Sequence, residues 1–200
     1  MNETINYYDN NAEIFVAGTL DVEFGIIQNR FLSLLPERGY ILDFGCGSGR
    51  DTKYFLSRGY DVDAIDGSEK LCEIASINTG IKVRQMLFSE LAENSKYDGI
   101  WACASILHLT RKELEPVMAK MIKAVKQGGY IYTSFKYGEF EGFRNDRYFT
   151  DFTEKTYRDF INEYPDIKII EEWVTGDARP GREDEKWLNL IIQRLEPITK

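Results

Sequence analysis

Asp43, Gly45, Gly47 and Gly49 stand in the stretch ILDFGCGSGRD, residues 41–51, a short apolar run that ends in an acid and then bares the main chain. Glycine costs roughly 0.5–1 kcal/mol against alanine inside a regular element, so glycines at alternate positions predict a turn with unusual dihedrals or a close approach of ligand to backbone. The spacing is G-x-G-x-G, and Arg50 stands where the dinucleotide fingerprint G-x-G-x-x-G needs its last glycine. A carboxylate at Asp43 would repel a pyrophosphate and favour an ammonium or sulfonium. Asp66 follows Gly45 by 21 residues, at the end of the next apolar run, the distance at which an acid accepts both hydroxyls of a ribose. A ribose and a cation together describe S-adenosylmethionine.

The elements that must position these residues alternate short β-branched or aromatic runs with longer amphipathic ones, the pattern of a parallel sheet covered by helices on both faces. Strands are predicted over 40–44, 61–65, 82–86, 98–103, 130–135, 167–174 and 187–194, with helices over 50–57, 69–77, 112–126 and 154–163. Ser68 and Thr110 are placed to cap the second and third of these helices, and Gly128-Gly129 to stop the third. Two further helical segments, 7–16 and 21–34, precede the first strand, and the last two strands, joined by the polar loop 175–186, form an antiparallel hairpin at the sheet edge. The reading is one domain: a helical cover over 1–38, a cofactor-binding core over 39–136, and an insert, helix and hairpin over 137–200.

The segment ILDFGCGSGRDTKYFLSRGYDVDAIDGSEKL resembles the first two motifs of class I S-adenosylmethionine-dependent methyltransferases, and KYDGIWACASILHL with VKQGGYIYTSF resembles their later strands. Roughly positions 38–136 carry the resemblance, and among small-molecule members the tellurite-resistance type is similar, its glycine motif also running into G-R. The resemblance implies a Rossmann-like α/β fold with a seven-stranded, mostly parallel sheet and a reversed last strand. It implies that the methionine moiety lies beside Asp43, Gly45, Cys46 and Gly47, and the ribose on Asp66. Adenine would lie between Gly67, Ser68 and Leu71 on one side and Met86, Leu87 and Phe88 on the other, with Cys103, Ala104 and Ser105 facing the methionine end. Leu87 stands where many relatives carry an acid for the adenine amino group, so the base would rely on backbone groups and apolar packing.

At the acceptor end, His108 is the chain's one histidine, just past the fourth strand. It reads either as a general base with an ordinary pKa near 6.5 or as a ring tucked under the following helix. Tyr7 and Tyr8 read either as core aromatics or as part of a lid over cofactor and substrate. Arg179 and Arg182, with Arg144 and Arg147 of the insert GEFEGFRNDRYF, read either as solvated surface or as a site for an anionic acceptor. Trp101, Trp173 and Trp187 read as packing.

Net charge is −8, so no global attraction to nucleic acid or anionic lipid is expected. The polar, acidic start and the lack of eighteen consecutive apolar residues predict a cytoplasmic chain outside the membrane. Three scattered cysteines without C-x-x-C indicate neither a disulfide framework nor a zinc site, and no metal is expected. ACASILH after the fourth strand lacks the acid- or Asn-Pro-Pro-aromatic motif of adenine-amino methylation, and no Pro-Cys is present for a cysteine adduct. The reading is an enzyme that moves a methyl group to a small-molecule acceptor. Its alternatives are a binding protein that keeps the fold without the chemistry, and a nicotinamide-dependent oxidoreductase, which needs the missing glycine.

Overall fold

Period-two alternation along the strands builds the core on both faces of one sheet. In the computed structural model, which describes residues 2–182 and 184–196, neighbouring strand residues separate to opposite sides. Leu42, Ile100, Ile131 and Ile192 face one cluster, whereas Ile41, Trp101, Tyr132 and Ile191 face another. The strands are β1 (Tyr40–Phe44), β2 (Asp61–Asp66), β3 (Arg84–Gln85), β4 (Tyr97–Ala102), β5 (Val125–Lys136), β8 (Ile167–Gly176) and β9 (Lys186–Arg194). They lie in the order β3-β2-β1-β4-β5-β9-β8, with β9 antiparallel to both neighbours. This is the seven-stranded, Rossmann-like sheet with one reversed strand.

Helices α3 (Gly25–Leu32) and α4 (Arg50–Ser57) close one face, where Phe31, Phe55 and Trp101 pack and Tyr132 stacks on Trp101 at 4.0 Å. On the other, α6 (Arg111–Ala124) buries Leu114, Val117, Met118, Met121 and Ile122. Those positions recur at i, i+3, i+4, i+7 and i+8, the stripe of a helix laid flat on a sheet, each contributing about 1.5–3 kcal/mol for full burial. Helix α7 (Glu154–Ile161) adds Tyr157 to the same cluster. Ser68 caps α5 (Glu69–Thr79) through Leu71 N–H, and Thr110 with Glu113 forms a capping box on α6.

Four expectations change. The segment 7–16 is two helices, α1 (Asn2–Asn10) and α2 (Ala12–Ala17), separated at Asn11, whose side-chain amide bonds back to the Tyr7 carbonyl. The third strand shrinks to two residues. Helix α6 stops at Ala124 because Val125 is already extended and pairs with Tyr97, so Gly128-Gly129 lie inside β5. The insert is an antiparallel hairpin, β6 (Glu141–Arg144) and β7 (Arg147–Thr150), turning on Asn145 and Asp146 at φ +48° and +61°. No helix among the described residues is long and apolar enough to cross a membrane.

Candidate active site

The turn after β1 takes left-handed dihedrals, φ +89° at Gly45 and +55° at Gly47, which side chains resist. Protein also crowds these positions. A Cβ on Gly45 would stand 2.5 Å from that of Ser105, and one on Gly47 would stand 3.0 Å from the Phe15 ring. Asp66, at the end of β2, holds the turn: one carboxylate oxygen accepts Gly47 N–H at 2.9 Å and the other accepts Ser68 N–H at 2.9 Å. Burial raises its pKa against the pull of those amides.

Asp43 does not reach the cavity beside this turn. Its carboxyl is buried and accepts the Thr52 hydroxyl at 2.6 Å, and burial together with the neighbouring Asp51 raises its pKa. Asp51, on α4, does reach the wall. It accepts Arg50 at 2.8 and 2.9 Å, the Trp101 indole at 2.8 Å and the Gln28 amide at 2.6 Å. Burial pushes its pKa up, but the Arg50 charge and these donors outweigh that and hold it low.

A cavity of about 210 Å³ opens at the carboxyl edge of the sheet, under α1 and α2 and between the two hairpins. One end is walled by Gly45, Cys46, Gly47, Asp66, Gly67, Ser68, Leu71, Met86, Leu87, Phe88, Cys103 and Ala104. The other is walled by Tyr8, Leu107, His108, Lys136, Arg147, Phe149, Arg179 and Arg182. Tyr7 stays off the wall, its ring edge-on to Tyr8 at 5.5 Å.

His108 is buried, and both its nitrogens have partners. Nδ1 lies 2.6 Å from the Tyr148 carbonyl, which can only accept, so Nδ1 carries the proton. Nε2 is then the acceptor for the Tyr8 hydroxyl at 2.8 Å. Burial, with the Arg147 cation nearby, lowers the imidazole pKa to about 4. A ring so held is neutral near pH 7 and orients Tyr8; its basic nitrogen does not stand free for an acceptor. Burial raises the Tyr8 pKa, opposed by Arg147.

Arg179 and Arg182 face the cavity but carry their own counterions. Asp177 takes Arg179 through both oxygens, at 2.8 and 2.5 Å, and Glu185 takes Arg182. Lys136 bonds to the same two acids, and Trp187, on the cavity wall, donates to Asp177 at 3.0 Å. Arg144 points elsewhere, paired to Asp151.

Residues 41–129 match the family described as a methyltransferase domain. That match takes in the glycine turn and Asp66. The TehB protein of Haemophilus influenzae, named "Probable S-adenosyl-L-methionine-dependent methyltransferase", is 30% identical over 97 residues, covering 45% of this chain and 33% of its own. The ubiquinone biosynthesis O-methyltransferase of Dechloromonas aromatica is 32% identical over 110 residues, 52% of this chain and 46% of its own. The chain thus spans a third to a half of the curated relatives it matches. The 1,6-didemethyltoxoflavin-N1-methyltransferase of Burkholderia thailandensis, solved with 1,6-didemethyltoxoflavin and S-adenosylhomocysteine, superposes with a TM-score of 0.75 over 98% of this chain and 87% of its own. At 18% identity that likeness shows the fold.

The cavity wall suits S-adenosylmethionine. Each Asp66 oxygen accepts one amide and has capacity for another donor, and Leu71, Met86, Leu87 and Phe88 give apolar cover for a flat base. Sequence reasoning missed Asp51 as the buried hub beneath the turn and Tyr8 as the partner of His108. The adjacent Arg50-Asp51 pair was a signal for the first; the second pair is 100 residues apart in sequence and left none.

Proposed function

We propose that the protein transfers the sulfonium methyl of S-adenosylmethionine to a nucleophilic atom of a small molecule. The observation that carries this reading is one continuous cavity joining the Asp66 end to the Tyr8–His108 end. The cofactor supplies an electrophilic methyl group on a sulfonium. Asp66 would take the ribose hydroxyls, and Gly67, Ser68, Leu71, Leu87 and Phe88 the base. The turn from Gly45 to Gly47, with Cys46, Cys103 and Ala104, would flank the methionine end. Tyr8, pinned by His108, and Phe149 would set the acceptor's approach, while α1 and α2 exclude water. Alignment of this kind is worth about 7–11 kcal/mol in the best intramolecular cases, so the chemistry needs no free base on the wall.

Calorimetry tests the reading. S-Adenosylhomocysteine is expected to bind at least a hundredfold more tightly than NAD, about 2.7 kcal/mol. Asp66→Ala is expected to weaken it by on the order of 1.5–3 kcal/mol per lost contact to the charged acceptor. Comparable NAD affinity, or an unchanged Asp66→Ala variant, would sink the assignment. Turnover of methyl-labelled cofactor with small-molecule extracts separates an enzyme from a protein that only binds.

A further inference from the structure

Five cations line the cavity, and four of them have a carboxylate at hand: Arg50 with Asp51, Arg179 with Asp177, Arg182 with Glu185, and Lys136 with both of the last two acids. Arg147 has none among the described residues. Its Nε is buried and has no hydrogen-bond partner. Its guanidinium sits instead among three rings, 4.5 Å from that of Tyr7, 5.3 Å from Phe149 and 5.9 Å from Tyr8, and among the described residues its other nitrogens reach only the Tyr8 hydroxyl, a neutral partner. A desolvated N–H without a partner is costly, and a guanidinium in an apolar setting gains most from a planar anion that takes two N–H bonds at once. The neighbouring His108 is neutral, so this corner of the cavity carries a single uncompensated positive charge.

We propose that Arg147 receives the carboxylate of the methyl acceptor, and that the acceptor is a monoacid with an apolar or aromatic body. The inference rests on the methyl-transfer reading above and adds the substrate class. One positive charge matches one carboxylate, and a chain of net charge −8 disfavours a more highly charged anion. The body of the acid would lie against Phe149, Leu107 and Phe88, which line the same cavity. The role expected of Arg179 and Arg182 thus passes to the hairpin on the opposite side, because Asp177 and Glu185 already neutralise them.

The test is calorimetry on protein saturated with S-adenosylhomocysteine, using benzoate and indole-3-acetate as probes against benzamide and indole-3-acetamide. At least one acid is expected to bind the wild type ten times more tightly than its amide. Arg147→Gln is expected to erase that preference and Arg147→Lys to reduce it at least threefold, since an ammonium keeps the charge without the fork. Both variants are expected to bind S-adenosylhomocysteine as the wild type does; if Arg147→Gln does not fold, Arg147→Lys decides. The proposal is overturned if neither acid outbinds its amide, if the preference survives Arg147→Gln, or if it is lost in Arg179→Gln instead. A tenfold loss of S-adenosylhomocysteine affinity in a folded Arg147 variant also overturns it, because Arg147 would then hold the cofactor's own carboxylate. Failure of the wild type to bind S-adenosylhomocysteine sinks the methyl-transfer reading itself.

Discussion

Protonating His108 should cost the fold a measurable part of its stability. In the folded chain the imidazole pKa falls from 6.5 to about 4, because burial penalises the cation and Arg147 repels it. The unfolded chain therefore binds the proton more readily, and the contribution is whole above pH 6.5 and is lost as pH falls toward 4. Linkage with these two values gives a loss of about 2.5 kcal/mol between pH 7.5 and pH 4.5. His108→Gln removes the titration while leaving an amide to donate to the Tyr148 carbonyl and an oxygen to accept from Tyr8. Urea unfolding of both proteins at the two pH values isolates the difference, since Asp43, Asp66 and the other carboxyls titrate in both. The wild type should lose about 2.5 kcal/mol more than the variant over this interval. As the chain has one histidine, its imidazole resonances report the pKa directly. Equal losses in the two proteins, or an imidazole that titrates at 6.5 or above, would refute the buried, neutral ring. The rate of methyl transfer should correspondingly show no His108 titration near pH 6.5.

Asp51→Ala leaves the Arg50 guanidinium without its counterion and strips Trp101 and Gln28 of an acceptor, so a loss of about 3–5 kcal/mol in urea unfolding is expected. A loss under about 1 kcal/mol would mean that Asp51 is not the hub described. Gly45→Ala and Gly59→Ala separate dihedral from packing, since both glycines have positive φ but only Gly45 has a neighbour in the way. Gly59→Ala should cost about 1–2 kcal/mol and Gly45→Ala at least twice that, with matched unfolding curves counting against the Ser105 contact.

The core was legible where the signal was local. β1, the glycine turn and β2 with Asp66 follow from contiguous apolar runs and a fixed spacing, and the caps at Ser68 and Thr110 from side chains three residues from the amides they bind. The hairpin 141–150 was hidden because its turn, Asn145-Asp146, sits between two arginines and reads as polar loop, although left-handed φ at both residues is what tight hairpins require. Gly128-Gly129 misled because strand pairing, which sequence does not show, overrode a helix-stop signal. Charge placement was the least legible. Arginine at 147, 179 and 182 looks alike in sequence, and only the fold assigns Asp177 and Glu185 to two of them.

Helix α1 touches both ends of the cavity at once. Asp9 accepts the Ser68 hydroxyl and the Lys70 amide at the start of α5, whereas Thr4 accepts the Tyr148 amide and Tyr8 reaches His108 on the hairpin side. An occupant at either end that further orders this helix would thus spare the second occupant that ordering cost. Linkage makes the effect reciprocal: the factor by which one molecule tightens the other is the same in both directions. Substitutions at Asp9 or Thr4, which sit at opposite ends of this span, would therefore register in the coupling between two ligands more than in the affinity of either alone.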